Sequence, residues 1–99
     1  MGLDFAIEEL FATGWSALDT TGCESEGGRW IPSVDRVKRE FADAGLSLSI
    51  RHIQLFDCFR AEWADDSSLP AGSVVGQTDR EAALYALAQH RRAAATAGV

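Results

Sequence analysis

The sequence predicts one small α+β domain: an antiparallel three-stranded meander with helices packed on one face. The chain has 99 residues, which suits one hydrophobic core, and its apolar fraction of 46% is typical of a globular protein. Apolar residues recur first at helical spacing, then in alternation, and then at helical spacing again. This succession predicts the element order α-α-β-β-β-α within a single domain, residues 1–99.

The first predicted helix covers about residues 2–17 and belongs to an acidic N-terminal segment, residues 1–18. Its apolar side chains recur in steps of three and four and so share one face: Leu3, Ile7, Phe11 and Trp15. Gly14 either ends this helix early or lies inside it at a cost of about 1 kcal/mol. Residues 19–31 are rich in glycine and small polar side chains, which predicts a loop.

The predicted core of the domain, residues 32–92, begins with a second helix. Ser33 is a favourable N-cap because its hydroxyl can accept a hydrogen bond from a free amide of the first turn. Pro32, just before it, cannot lie in a helix interior. At the other end, Gly45 followed by Leu46 is typical of a glycine that terminates a helix.

Two strands are predicted next, because apolar and polar side chains alternate over residues 46–50 and again over residues 58–63. The tight turn between these strands is placed around residues 56–57. Residues 65–72 have the composition of a loop. Residues 73–77 then form a short third strand, which completes the predicted meander.

The last helix begins at a capping box. The hydroxyl of Thr78 can accept a hydrogen bond from the amide of Glu81, and the Glu81 carboxylate can reach back to an amide before the helix. Alanine and leucine, the strongest helix formers, follow as far as about Arg92. The tail, residues 93–99, is expected to fray.

Charge is distributed unevenly along the chain, whose formal net charge is −6. Residues 1–28 hold six acidic residues and no Lys or Arg, whereas residues 29–99 hold nine acidic and nine basic residues. Binding to phosphate requires a concentration of Lys and Arg, so nucleic acid and membrane are disfavoured as partners. The N-terminus is acidic where a secretory signal is basic, and no apolar run approaches the ~20 residues that span a bilayer. We therefore expect a cytoplasmic protein.

Catalytic and metal-binding motifs are weak. The ligand-capable side chains are Cys23, His52, Cys58 and His90, and no pair of them has the spacing that zinc sites favour. We therefore predict no metal site, no cofactor and no assigned catalytic residue. An alternative pairs the thiol of Cys58, as nucleophile, with His52 or His90 as base. In the competing interpretation, Cys58 is a small hydrophobic side chain within a strand.

The junction between the last strand and the last helix runs Gly-Gln-Thr-Asp-Arg-Glu-Ala over residues 76–82. In its layout, this junction and the α-β-β-β-α order resemble the double-stranded-RNA-binding domain. That family carries phosphate-binding lysines at the junction, where this chain has Asp79, Arg80 and Glu81. The resemblance therefore implies a fold, without the residues that bind RNA.

A second motif precedes the first core helix and consists of Trp30, Pro32, Ser33 and Asp35. With the same element order, it resembles the small phage-type α-β-α sandwich domains. That resemblance implies a fold and carries no activity, since a fold by itself does not determine a function.

Three functions remain open at this point. The first is a non-catalytic protein-interaction or self-association module, in which the apolar face of the first helix binds another protein or a second copy of the chain. That face could equally pack within the domain. The second is a nucleic-acid-binding domain of the double-stranded-RNA-binding type. The third is a small enzyme that uses Cys58 and a histidine.

Overall fold

The structure, a computed structural model, describes residues 2–67 and 69–97. Within them lie three helices and two antiparallel sheets, which confirms the predicted α+β class with its three-stranded meander. The elements are α1 (Leu3–Ala12), β1 (Cys23–Glu26), β2 (Arg29–Pro32), α2 (Val34–Asp43), β3 (Ser47–Ile53), β4 (Cys58–Ala64), β5 (Pro70–Gly76) and α3 (Asp79–Ala97).

Helix α1 is shorter than the apolar periodicity predicts. It ends at Ala12, and the amides of Thr13 and Gly14 close its last turn on carbonyls of the helix. Gly14 has a φ of +84°, a conformation that glycine adopts without a Cβ penalty. Of the two roles open to Gly14, the structure therefore shows the early helix end.

A β-hairpin occupies most of the segment that the sequence analysis assigned to a loop. Strands β1 and β2 pair in antiparallel register and are joined by Gly27 and Gly28. Both glycines have positive φ values, +58° and +80°, as a two-residue type I′ turn requires. The loop assignment was wrong because β1 is polar after Cys23 and shows no alternation of apolar and polar side chains. The Gly-Gly pair was the available hairpin signal.

Helix α2 forms as predicted at both ends. The hydroxyl of Ser33 accepts a hydrogen bond from the amide of Arg36 at 3.2 Å. After the helix, Gly45 has a φ of +80°, and the amide of Leu46 donates to the carbonyl of Phe41 at 2.9 Å. These bonds satisfy backbone groups that the helix ends would otherwise leave free.

Strands β3, β4 and β5 form the predicted meander, with β4 in the centre. One face of the sheet packs against the helices and carries Leu48, Ile50, Ala61, Trp63 and Val74. The other face is polar and carries Ser49, Arg51, Arg60, Glu62 and Ser73. A turn over residues 54–57 joins β3 to β4, and β5 begins at Pro70, within the segment predicted as a loop.

Helix α3 lies at the centre of the molecule and contacts α1, α2, β4 and β5. Six of its residues, all small or aliphatic, are essentially inaccessible to solvent: Ala82, Ala83, Leu84, Ala86, Leu87 and Ala88. The helix continues to Ala97, beyond the predicted end near Arg92, and residues 98–99 lie outside the described residues. Side chains this small allow several elements to approach one helix closely.

Helix α3 is anchored to β5 by the predicted capping box and by a close backbone approach. The hydroxyl of Thr78 accepts a hydrogen bond from the amide of Glu81 at 3.0 Å, and the Glu81 carboxylate accepts one from the amide of Gln77 at 3.2 Å. A Cβ atom at Gly76 would lie 2.6 Å from the backbone nitrogen of Ala82. Only glycine therefore fits at the end of β5.

Acidic residues before position 29 form ion pairs with arginines elsewhere in the domain. Glu8 contacts Arg29 at 2.9 Å, and Asp19 contacts Arg39 at 3.2 Å. Further pairs join Glu9 to Arg92, and Glu24 and Glu26 to Arg80. Most of the acidic residues before position 29 thus face an arginine that comes later in the chain.

The buried Arg36 guanidinium organises the segment between α1 and β1. It donates hydrogen bonds to the carbonyl oxygens of Asp19 and Thr21, the latter at 2.6 Å, and forms an ion pair with Glu40 at 3.1 Å. Hydrogen bonds from the amide and hydroxyl of Thr21, with a further one from Arg39, lower the pKa of Asp19 to about 2. This segment is therefore held by side-chain bonds where it has no regular secondary structure.

We expect Arg36→Met to lower the free energy of unfolding by about 2 kcal/mol, because it removes the buried donor of two hydrogen bonds to backbone carbonyl groups and of the ion pair with Glu40. The matched control is Arg39→Met on the same helix, whose guanidinium is half-exposed and which should change stability little. Urea denaturation of both variants provides the measurement. Equal losses in the two variants would contradict the role assigned to Arg36.

We expect Gly76→Ala to lower the free energy of unfolding by about 1–3 kcal/mol, because the new methyl group overlaps the first turn of α3. Ser73→Ala, at an exposed position of the same strand, is the control and should have little effect. Guanidinium denaturation monitored by tryptophan fluorescence measures both. A fully stable Gly76→Ala protein would show that β5 and α3 are not in such close contact.

Candidate functional site

The apolar face predicted on the first helix lies inside the domain. Ile7 and Trp15 retain only 5% and 4% of their accessible surface, and Leu3 and Phe11 are half-buried against the same core. Helix α1 packs along α3, and the ring of Trp15 also packs edge-on against Phe11, with centroids 5.7 Å apart. The contacts of this face are therefore intramolecular in the structure.

Cys58 and His52 are not brought together. In the register of β3 and β4, His52 lies opposite Phe59, and its ring stacks on that of Phe59 with centroids 4.9 Å apart. Cys58 precedes Phe59 and therefore directs its side chain to the other face of the sheet. His52 instead contacts Asp57, with Nε2 and Oδ1 3.1 Å apart. A nucleophile and its base must lie within hydrogen-bond reach, a condition that this pair does not meet.

The other ligand-capable side chains are also separated. The thiol of Cys23 lies 3.6 Å from a guanidinium nitrogen of Arg36, and burial raises the pKa of this thiol. His90 lies on α3 and stacks on Phe41, with ring centroids 5.1 Å apart. Among residues 2–67 and 69–97, no three His, Cys, Asp or Glu side chains are close enough to bind one metal ion.

A groove of about 570 Å³ runs between the free edge of β5, α3 and α1. Strand β5 forms one wall through Val74 and Val75, and α3 forms the other through Tyr85 and Gln89. The remaining lining residues are Glu9, Cys58, Gly76, Gln77, Glu81 and Arg92. Sequence analysis missed this groove because its walls come from three elements that are distant in the chain and share no motif.

The charged groups of this groove are engaged within the chain. Glu9 on α1 forms an ion pair with Arg92 on α3, across one end of the groove. The Glu81 carboxylate, which is buried, caps α3 through the amide of Gln77. The apolar part of the groove adjoins two accessible side chains: Val75 is 59% exposed, and Phe5, whose ring centroid lies 6.3 Å from that of Tyr85, is 50% exposed. The groove therefore presents apolar surface between internally paired charges.

Strand β5 is an edge strand. Among the strands that the structure describes it pairs with β4 alone, so the backbone N–H and C=O groups of alternate residues point away from the sheet. No residue of Pro70–Gly76 is charged. Charged side chains are one of the means by which proteins prevent an edge strand from pairing with another chain, and β5 lacks them.

The polar face of the sheet carries a small ion-pair cluster. Glu62 accepts from Arg51 at 3.0 Å and lies 3.1 Å from Arg60. Arg51 and Arg60 thus contact the same carboxylate, which offsets part of their positive charge. Phosphate binding depends on a concentration of positive charge.

Arg80 is the basic residue of the junction that resembles the double-stranded-RNA-binding domain. Arg80 is mostly buried, with Nη1 3.7 Å from Glu24 and 3.8 Å from Glu26. No helix in the described part of the chain has the length and apolarity needed to cross a membrane. Comparison of the sequence and the structure with protein-family models, curated proteins and solved structures gives no match.

The surroundings of His90 predict a pH dependence of stability. Burial, followed by the positive charge of the neighbouring Arg91, lowers the pKa of the His90 imidazole below its ordinary value of 6.5. The folded protein therefore binds this proton less tightly than the unfolded chain. The stability associated with His90 is complete above pH 6.5 and is lost as the pH falls through 6.5 towards the lower folded pKa.

We expect the free energy of unfolding to fall between about pH 7.5 and 5.5, and we expect His90→Gln to remove part of that fall. Denaturant titrations of both proteins at several pH values measure the difference. An NMR titration of the His90 ring provides the direct check. A folded-state pKa at or above 6.5 would contradict the prediction.

Proposed function

We propose that this protein is a non-catalytic protein-interaction module that binds an extended chain segment along the free edge of β5. The observation that carries the proposal is the groove of about 570 Å³ beside an uncharged edge strand. In this mode of recognition, backbone hydrogen bonds to the edge strand supply affinity, and alternate side chains of the bound segment enter adjoining pockets.

The geometry of the groove suits a fourth strand. Successive side chains of a strand point to opposite faces, so one set would lie towards Tyr85 and Gln89, between β5 and α3. The other set would cover Val75 and the side of Cys58. Bound in this way, the segment would bury the exposed part of Val75 and satisfy the outward backbone groups of β5.

The nature of the lining indicates which segments would bind. Half of the lining residues are valine, glutamine or tyrosine, and the charged ones, Glu9, Arg92 and Glu81, are already engaged in intramolecular contacts. A strongly charged segment would therefore gain little and would lose hydration. We expect bound segments to be extended and uncharged at the positions that face the groove.

A peptide selection tests the proposal with a readout specific to strand addition. Peptides selected from a random phage library on the full chain are resynthesised with one N-methylated amide at each position in turn. We expect affinity to fall about tenfold at every second position, because only alternate N–H groups of an added strand face β5. A loss without this alternation would contradict strand addition.

Two substitutions locate the binding surface. Val75→Asp should weaken the selected peptides, because it places a charge on the edge strand next to the groove. Leu55→Asp is the matched control, since Leu55 is also apolar and exposed but lies in the turn between β3 and β4, outside the groove lining. Equal effects of the two substitutions, or amide shift changes centred on Arg51 and Arg60, would contradict the assignment of the groove.

A further inference from the structure

We infer that the segment bound along β5 is β5 of a second copy of this chain, paired antiparallel about a two-fold axis. This inference rests on the proposed function and specifies its partner. A two-fold interface brings the same surface of each copy together, so any charge near the axis faces its own copy. The condition that favours such self-pairing is therefore a strand without charge.

Strand β5 meets that condition along its whole length. Residues 70–76 read Pro-Ala-Gly-Ser-Val-Val-Gly, without an ionisable side chain. Val74 and Val75 supply β-branched residues for cross-strand contacts. Pro70, which lacks an N–H, stands at the start of the strand, away from its centre.

The opposite edge of the sheet does not meet that condition. Strand β3 carries Arg51 and His52 next to each other, and the side chain of Arg51 is 69% exposed. Two copies paired through β3 would bring like charges together, which is one of the ways in which edge strands resist association. The contrast between the two edges favours β5 as the self-pairing strand.

The groove would enlarge the dimer interface beyond the area that the two paired strands bury by themselves. A stable complex covers about 800 Å² on each partner, more than the backbones of two short strands provide. Pairing through β5 would extend the sheet across the axis and bring each copy next to the α3 and α1 wall of the other. The exposed part of Val75 lies on this edge and would be covered in the dimer, and Phe5 lies next to Tyr85 in the opposite wall of the groove.

Sedimentation equilibrium of the full chain tests the inference. We expect a reversible dimer, and we expect Ser73→Lys in β5 to raise its dissociation constant by about tenfold or more, because two lysines then lie close to the axis. Ser49→Lys in β3 is a matched control: both serines are exposed, and both lie opposite Glu62 in the sheet register. It should leave the dissociation constant unchanged.

A charge complementation experiment separates lost pairing from lost folding. Ser73→Lys and Ser73→Glu should each weaken self-association, and an equimolar mixture of the two should form a heterodimer. Circular dichroism of each variant should remain that of the native chain. If the mixture failed to associate, or if Ser49→Lys weakened the dimer equally, the β5 pairing would be wrong.

The outcomes also separate this inference from the proposed function. A chain that stays monomeric but binds the selected peptides with the alternating N-methyl pattern overturns only the second copy as partner. A chain that neither dimerises nor binds such peptides overturns both. Association into open-ended assemblies would overturn the closed two-fold dimer.

Discussion

The close approach of β5 to α3 at Gly76 is the constraint on which the other contacts depend. A side chain at this position would overlap the backbone of Ala82, so glycine allows the helix to turn directly back over the sheet. Thr78 and Glu81 then cap the helix at the same junction. The position of α3 is therefore set at its first turn. The two other helices pack against the small side chains that follow.

The N-terminal charge has a structural explanation that composition alone does not provide. Taken as a block, the acidic residues before position 29 suggest a repulsive surface. In the fold, most of them lie opposite arginines from the hairpin, α2 and α3, such as Arg29, Arg39 and Arg80. Each exposed ion pair of this kind contributes little to the stability of the fold. Together, however, the opposite charges favour the placement of the N-terminal residues next to these arginines over other placements. The excess charge therefore helps to orient α1, which packs along α3.

The sequence predicted those parts of the fold that depend on local chemistry. Ser33, Gly45, Thr78 and Glu81 act within a few residues of where they stand, so their roles can be recognised without a structure. The β1–β2 hairpin was missed because its stability comes from Ile31 packing in the core rather than from alternation along β1. The apolar face of α1 was identified correctly as apolar. This face packs on α3, and the periodicity of the sequence cannot predict that contact because it depends on tertiary packing.

The groove illustrates the same limit at the level of function. It forms because α3 packs over one face of β5 and α1 packs along α3, so that neither helix covers the free edge of β5. Its lining residues do not form a shared motif along the chain, and the charged ones serve internal contacts. What distinguishes the surface is the absence of charge on β5, set against Arg51 on the opposite edge strand. An unprotected edge exposes backbone groups that are satisfied most fully by another strand. The asymmetry between the two edges is therefore the physical basis for expecting association at β5 and not at β3.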